Sequence, residues 1–221
     1  MNSNQDDNYR GENAEQYESQ VVETAWHGHE IMFGLMFEYV KPSDSLLDIG
    51  IGTGLSSILF HKAGLHVSGF DNSIEMLEGC KSKRFSGKIV QHDLRNTPYP
   101  YPSNSINHIV SLGVLNFFPD LSSVFQEVGR IIKIDGIFGF TVEEQKPGQK
   151  SQYTIRVNSG IGQDKQPFNV KMYRHSDEYT KALLKKNGIN ILKDFEFIAD
   201  RYPEQEIEVY LKIYIGKKHR S

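Results

Sequence analysis

Apolar and polar positions along the middle of the chain alternate between two periods. Runs of strand length, apolar throughout or alternating with polar residues, occupy 46–49, 65–71, 88–94, 106–111 and 137–142. Patterns typical of helices lie between them, at 55–64, 74–81 and 121–132. This alternation predicts an α/β fold with a parallel, doubly wound sheet, which binds ligands at the carboxyl ends of its strands.

The pattern changes after residue 142. Residues 143–174 contain glycines, prolines and polar residues and predict a long loop, with one possible short strand at 153–157. A helix over 175–188 follows, capped by Ser176, and two strands at 189–198 and 207–215 bring the sheet to seven strands. Because long loops in compact domains are usually binding loops or lids, we expect 143–175 to form a substrate-side insertion.

The first strand runs directly into a glycine turn. Its sequence is Leu-Leu-Asp48-Ile-Gly50-Ile-Gly52-Thr-Gly54. Glycines adopt unusual backbone angles and leave room for a ligand, and the next helix presents free N–H groups at its start. A dinucleotide fingerprint needs its third glycine at position 55, which is Leu55, and no Gly-Lys-Ser/Thr of a phosphate loop follows. The turn therefore predicts a small polar ligand and disfavours a dinucleotide.

A carboxylate also ends the second strand. Asp71 closes the alternating run 65–71, and a carboxylate can accept two hydrogen bonds from the vicinal hydroxyls of a ribose. The alternative for Asp71 is a helix cap beside Ser73. We favour ribose binding, since the second strand of such sheets carries this function.

These features resemble the class I S-adenosylmethionine-dependent methyltransferases, whose first motif is a strand ending in Asp/Glu-x-Gly-x-Gly-x-Gly. The resemblance covers about 46–142 and is carried outside the glycine turn by Asp71, Ser73, Met76, Asp93, Leu94, Glu127, Arg130 and Gly136. It implies a Rossmann-like, doubly wound seven-stranded sheet, mostly parallel with an antiparallel final strand. It also implies S-adenosyl-L-methionine as the cofactor.

The resemblance assigns roles to single positions. Asp93 would bind the adenine amino group, since a carboxylate only accepts hydrogen bonds, with Leu94 and Met76 beside the ring. For Met76 the alternative is an ordinary core position. The implied cofactor-binding residues are Tyr17, Asp48, Gly50, Gly52, Gly54, Asp71, Asn72, Met76, Asp93, Leu94, Ser111, Leu112 and Gly113. Two positions depart from the family pattern: His108 stands where Asp is usual, and Asn116 stands where His is common.

The flanking segments complete one predicted methyltransferase domain over 1–221. Residues 1–13 are polar and are predicted to form a disordered tail. Residues 14–40 are predicted to form an N-terminal helical cap, in which the resemblance implies that Tyr17 meets the carboxylate of the cofactor. Residues 173–179 resemble a segment of small-molecule methyltransferases of the type-11/12 group.

The sequence names no catalytic base. His27, His29, Tyr153 and His175 are weak candidates, and each has an ordinary structural alternative. Two histidines two residues apart on a helix do not face each other, so we expect no metal site at His27 and His29. Methyl transfer from a sulfonium needs mainly alignment, and a base matters only for an acceptor that arrives protonated.

Composition limits the partners. The 221 residues have a net charge of −3, which gives no electrostatic case for a nucleic-acid partner. The single cysteine, Cys80, excludes an intrachain disulfide and fits a cytoplasmic protein. The apolar runs are shorter than a membrane span needs, and no secretory leader is recognisable.

The combined prediction is an S-adenosylmethionine-dependent methyltransferase that acts on a small-molecule acceptor by in-line displacement. The acceptor, the methylated atom and the oligomeric state are not predicted. One alternative is a non-catalytic protein that binds the same cofactor. A protein or RNA methyltransferase and an NAD-dependent oxidoreductase rank behind it.

Overall fold

A computed structural model describes residues 17–19, 21, 26–159, 166–202 and 207–220. The predicted disordered tail, 1–13, lies outside the described residues. The strands are β1 (Ser45–Ile49), β2 (His66–Asp71), β3 (Ile89–Gln91), β4 (Ile106–Ser111), β5 (Ile132–Glu144), β6 (Gln152–Ser159), β7 (Gln166–His175), β8 (Ile189–Tyr202) and β9 (Ile207–Lys218). The helices are α1 (Gly28–Met36), α2 (Ile58–Lys62), α3 (Ile74–Lys81), α4 (Ser122–Ile131) and α5 (Asp177–Lys186), with 3₁₀ turns at Phe37–Tyr39 and Leu115–Phe117.

Seven strands form the main sheet in the order β3-β2-β1-β4-β5-β9-β8. The five strands from β3 to β5 are parallel to one another. Strand β9 lies antiparallel between β5 and β8. The prediction of a mostly parallel, seven-stranded sheet with an antiparallel final strand is confirmed.

Apolar side chains cover both faces of this sheet. On one face Met32 and Met36 of α1 and Phe60 of α2 pack over β1 and β9. On the other face Phe125 of α4 and Leu183 of α5 join the apolar side chains of β4 and β5. Burial of both faces explains the near-continuous apolar runs of the central strands.

A β-hairpin replaces most of the predicted loop after β5. Strands β6 and β7 pair antiparallel, and β7 also pairs in parallel with the end of β5 through Glu143–Arg174 and Glu144–His175. The short strand expected at 153–157 is confirmed within β6, whereas the expectation of an otherwise irregular segment is wrong. The hairpin lies at the edge of the sheet where the parallel strands have their carboxyl ends.

Two predicted boundaries also need correction. Helix α2 begins at Ile58 rather than near residue 55, because Gly54 has a φ of +84° and the chain turns before it becomes helical. Strand β5 begins at Ile132 instead of 137, with Asp135 at a φ of +65° and a shift in the β4–β5 register. Neither difference moves the carboxyl ends of β1, β2, β4 and β5 from a common edge.

Candidate functional site

The glycine turn after β1 has one open side. Gly50, Gly52 and Gly54 have φ angles of +75°, +53° and +84°. A Cβ atom at Gly50 would lie 2.6 Å from a methyl of Val114, and one at Gly54 would lie 2.5 Å from the Phe85 ring. A Cβ at Gly52 would meet nothing within 4 Å. Gly50 and Gly54 therefore allow close packing, while bare backbone at Gly52 borders the space that a ligand can enter.

Asp71 ties this turn to the next helix. One carboxylate oxygen accepts a hydrogen bond from the Gly52 N–H at 2.9 Å, and the other accepts one from the Ser73 N–H at 2.9 Å. Partial burial raises the pKa of Asp71. A carboxylate has about four lone-pair sites, so acceptor capacity remains for a ligand. The alternative of a cap beside Ser73 is thus present in the structure, and the ribose role stays a prediction.

Asp48 is fully buried beneath the turn. Its Oδ2 accepts a hydrogen bond from the Ser57 hydroxyl at 2.7 Å, and its Oδ1 has no hydrogen-bond partner among the described residues. Burial raises the pKa of Asp48 to about 7. The site therefore holds a buried acceptor that a cationic donor group would satisfy.

The residues predicted to surround an adenine gather beside Asp71. Residue His92 follows β3 and donates its backbone N–H to the carbonyl of Asp71 at 2.9 Å, which brings Asp93 to this corner. Arg95 already binds the Asp93 carboxylate through Nη2 at 2.6 Å and Nε at 3.0 Å, and this hydrogen bonding lowers the pKa of Asp93. An adenine amino group would have to share Asp93 with Arg95.

The other residues predicted to lie near the adenine differ in burial. Leu94 is buried in the main core, and Met76 is buried on the inner side of α3. Asn72 is half-buried, and its carbonyl accepts a hydrogen bond from the Gln91 side chain at 3.0 Å. The core alternative for Met76 therefore has support, and the cofactor roles of all three stay predictions.

The end of β4 forms the opposite wall of the site. The Ser111 hydroxyl donates to the Ile49 carbonyl at 3.0 Å, and the Gly113 N–H donates to the Thr141 hydroxyl of β5 at 2.9 Å. Leu112 is buried between them. A Cβ at Gly113 would lie 3.9 Å from the Trp26 ring, so an aromatic side chain of the N-terminal segment covers this wall.

A buried cluster joins the hairpin to β5 near the site. Glu143 accepts hydrogen bonds from the Tyr153 hydroxyl at 2.6 Å and from the Arg174 Nε at 2.7 Å. The Arg174 guanidinium also lies 3.8 Å from the centre of the Tyr153 ring. Burial and the Glu143 contact raise the pKa of Tyr153, which disfavours this phenol as a catalytic base.

The three candidate histidines lie in different surroundings. His27 is exposed and pairs with Glu30 at 2.5 Å. Burial lowers the pKa of His29, whose Nδ1 has no partner among the described residues. His175 is buried, with Nε2 lying 3.4 Å from the Leu115 carbonyl, and burial lowers its pKa. None of these contacts identifies a catalytic base.

Comparisons with known proteins find similar methyltransferase domains. Residues 47–140 match the family model described as a methyltransferase domain. The fold is similar to that of an S-adenosylmethionine-dependent methyltransferase from Methanosarcina mazei, with a TM-score of 0.67 and 15% identity over 85% of this chain and 98% of that one. Residues 47–140 are therefore similar to the methyltransferase domain family, and the chain has the fold of these methyltransferases.

Curated relatives match over part of this chain and over part of their own length. A sterol 24-C-methyltransferase from Gibberella zeae is 31% identical over 45% of this chain and 28% of its own length. A 2-methyl-6-phytyl-1,4-hydroquinone methyltransferase from rice (Oryza sativa subsp. japonica) is 29% identical over 42% of this chain and 28% of its own length. The chain spans less than half the length of the curated relatives it matches first.

The N-terminal segment of the chain is described in part. Tyr17 is helical and half-buried, and its neighbour Glu18 pairs with Lys83, beyond α3, at 2.5 Å. The cofactor role of Tyr17 and the role of 14–40 as a cap stay predictions. Within the described ranges, no cluster of side chains could hold a metal ion. No helix in the described part of the chain is long and apolar enough to cross a membrane.

Several residues of the candidate site were not predicted. Ser57, Thr141 and Trp26 contact Asp48 or the end of β4, and Glu143 and Arg174 hold the hairpin. Ser57 had a local signal, because a small hydroxyl residue stands where the helix after a glycine turn begins. The other contacts join residues distant in the chain and have no comparable signal.

Proposed function

We propose that this protein transfers a methyl group from S-adenosyl-L-methionine to a small-molecule acceptor. The observation that carries the proposal is the open side of Gly52, whose N–H binds the Asp71 carboxylate and which follows the buried Asp48 by four residues. The similarity of residues 47–140 to the methyltransferase domain family supports the choice of cofactor, and the absence of glycine at position 55 disfavours a dinucleotide.

The residues of the site suit the parts of this cofactor. Asp71 would accept hydrogen bonds from the ribose hydroxyls, and the free acceptor of Asp48 suits the methionine ammonium. Gly52 would allow close approach of the backbone, and Asp93 lies beside Asp71 for the adenine. When bound, the cofactor supplies a methyl group that its sulfonium has already activated.

The protein contributes alignment and exclusion of water. Residues Ser111 to Gly113 and Trp26 wall one side of the site, while the β6–β7 hairpin borders the region where an acceptor would enter. Holding the two reactants in line can supply several kcal/mol of barrier reduction without any proton transfer. The mechanism therefore requires no catalytic base for an acceptor that arrives deprotonated or neutral with a free lone pair.

The small-molecule acceptor is the finer part of the proposal. Two curated relatives are named for a sterol and a hydroquinone acceptor, at 31% and 29% identity. The net charge of −3 gives no electrostatic support for a nucleic-acid acceptor. We also propose a cytoplasmic location, because the only cysteine, Cys80, is a buried free thiol.

Calorimetry with S-adenosylhomocysteine tests the cofactor. We expect one binding site for S-adenosylhomocysteine and no heat of binding with NAD; the reverse result would indicate an oxidoreductase. Turnover of labelled S-adenosylmethionine against small amines, phenols, carboxylates and thiols then tests transfer. Binding without turnover of any acceptor, including protein and RNA, would favour a non-catalytic cofactor-binding protein.

A further inference from the structure

Apolar side chains of the β6–β7 hairpin face the loop that follows β4. The strand register places Tyr153 opposite Met172 and Ile155 opposite Val170, so these four side chains share one face of the hairpin. This face packs against Phe117 of the 3₁₀ turn and against Ile207 of β9. The region beside the site is therefore walled mainly by aliphatic, aromatic and thioether groups.

The same loop lies against the glycine turn. Val114 fills the space at Gly50, and Asn116 follows two residues later. The Asn116 Nδ2 lies 3.8 Å from the sulfur of Met172 on the hairpin. One short loop thus connects the predicted cofactor side to the apolar hairpin face, and an acceptor at this junction would lie beside the proposed cofactor.

Asn116 carries an unsatisfied acceptor at this junction. Its side chain is only 4% exposed, and its Oδ1 has no hydrogen-bond partner among the described residues. A thioether is a weak acceptor, so the Nδ2 contact with Met172 compensates little. Because a buried amide oxygen without a donor is destabilising, this group is costly unless a ligand uses it.

The charged side chains near this junction form ion pairs. Glu143 is paired with Arg174 at 2.7 Å, and Glu144 is paired with Lys212 at 2.6 Å. Among the described residues, no unpaired cation or anion faces Asn116 from β5 or from the inner face of the hairpin. A charged ligand would therefore find no partner of opposite charge on these two elements.

We propose that the acceptor is an uncharged, largely apolar molecule whose N–H or O–H group donates a hydrogen bond to Asn116 Oδ1. It would lie between the Leu115–Phe117 turn and the inner face of the hairpin, and the flexible Met172 side chain would move aside to admit it. This inference rests on the proposed function and names the acceptor class for the same site.

Three naphthalene probes test the acceptor class on the full chain saturated with S-adenosylhomocysteine. The probes are 1-naphthol, which donates a hydrogen bond, 1-methoxynaphthalene, which cannot, and 1-naphthoate, which is charged. We expect 1-naphthol to bind about tenfold more tightly than either of the others by calorimetry, as a satisfied buried hydrogen bond is worth about a factor of ten. Equal affinities, preference for 1-naphthoate or no binding of any probe would overturn the proposal.

The Asn116→Leu variant tests the residue itself. It removes the unsatisfied amide at nearly constant volume, so we expect an unchanged or higher midpoint of thermal unfolding together with about tenfold weaker 1-naphthol binding. Binding of 1-methoxynaphthalene should not weaken. The matched control is Thr180→Val on α5, which also removes a buried, unpartnered side-chain oxygen and should leave all probe affinities unchanged.

These outcomes separate the two proposals. Loss of several degrees in the unfolding midpoint of Asn116→Leu would mean that the amide supports the fold, and this would overturn its role in recognition. If S-adenosylhomocysteine binds to the unmodified protein while the probe series fails, only the acceptor class is wrong. If S-adenosylhomocysteine does not bind, the proposed function itself fails.

Discussion

At the scale of single residues, Asp71 is the most connected group of the site. Its two oxygens hold the Gly52 and Ser73 N–H groups, so it orients the glycine turn and the start of α3 together. We predict that Asp71→Ala weakens S-adenosylhomocysteine binding at least tenfold in calorimetry, since hydrogen bonds to a charged group contribute about 1.5–3 kcal/mol. It should also lower the free energy of unfolding, because two backbone donors lose their partner.

Glu78→Ala is the control for this prediction. Glu78 is an exposed acid of the same helix, α3, and its removal should change neither affinity nor stability measurably. Unchanged affinity in Asp71→Ala would leave Asp71 as a structural cap of α3. Equal losses in both variants would indicate a general effect of the helix charge.

We predict that the buried Asp48 makes the stability of the fold depend on pH. Burial raises its pKa to about 7 in the folded protein, whereas an unfolded aspartate titrates near 3.8. Between these values the folded state holds a proton that the unfolded state has lost, so stability falls as the pH rises from about 4 to 7. From pH 5 to 7.5 the contribution of Asp48 to the free energy of unfolding should fall by on the order of 2 kcal/mol.

Chemical denaturation at several pH values measures this contribution. The Asp48→Asn variant cannot titrate, so its free energy of unfolding should decline less over the same range. Parallel pH profiles for the variant and the unmodified protein would contradict the raised pKa. Saturating S-adenosylhomocysteine should reduce the difference between the profiles, because an ammonium group favours the charged carboxylate.

Residue identity alone could not give the surroundings of these carboxylates. The position of Asp71 at a strand end was sufficient to identify it as a candidate, because strand ends collect at one edge of a parallel sheet. Asp48 and Asp93 became candidates through the resemblance to the methyltransferases. The Arg95 side chain on Asp93 depends on the local turn, and the complete burial of Asp48 depends on packing of α2. Such contacts are properties of the folded chain and leave no spacing pattern.

At the scale of elements, the β6–β7 hairpin is attached to the main sheet through the end of β5. Only two residue pairs join β7 to β5, and the buried Glu143–Arg174 pair reinforces one of them. We predict that Arg174→Met lowers the free energy of unfolding at pH 8 by about 3–5 kcal/mol, since it leaves a buried carboxylate without its counter-charge. The loss should be smaller at pH 6, where the Glu143 carboxyl, whose pKa burial already raises, can take up a proton.

Arg201→Met is the matched control for the hairpin. Arg201 pairs with Glu208 at 3.1 Å between two exposed side chains, and such pairs contribute about 0–1 kcal/mol. A loss in Arg174→Met no larger than that in Arg201→Met would show that the hairpin does not depend on the buried pair. The double variant Glu143→Gln with Arg174→Met should recover part of the loss.

Elements with a strong period were predictable, and the hairpin was not. The central strands are buried on both faces and therefore read as apolar runs, and Ser73 and Ser176 cap their helices as their positions suggested. Strands β6 and β7 bury one face only, with polar residues such as Thr154 and Lys171 on the other, and glycines and prolines flank them. The pattern within each strand does not show that the two strands pair with each other, so the sequence predicted a loop over most of this segment.

At the scale of the whole molecule, the strand order brings the ends of β1, β2 and β4 together at one edge, so a ligand there links segments distant in the chain. We predict that S-adenosylhomocysteine at a hundred times its dissociation constant raises the midpoint of thermal unfolding by about 5–10 °C, from about 2.7 kcal/mol of binding linkage. NAD should give no rise in this midpoint.

The Gly52→Ala variant should lose most of the rise, because its Cβ enters the open side of the turn at a φ of +53°. Gly148→Ala supplies the control, since that glycine also has a positive φ and open space around it but lies beyond β5, before the hairpin. An equal rise in both variants would place the ligand away from the glycine turn and would contradict the site as a whole.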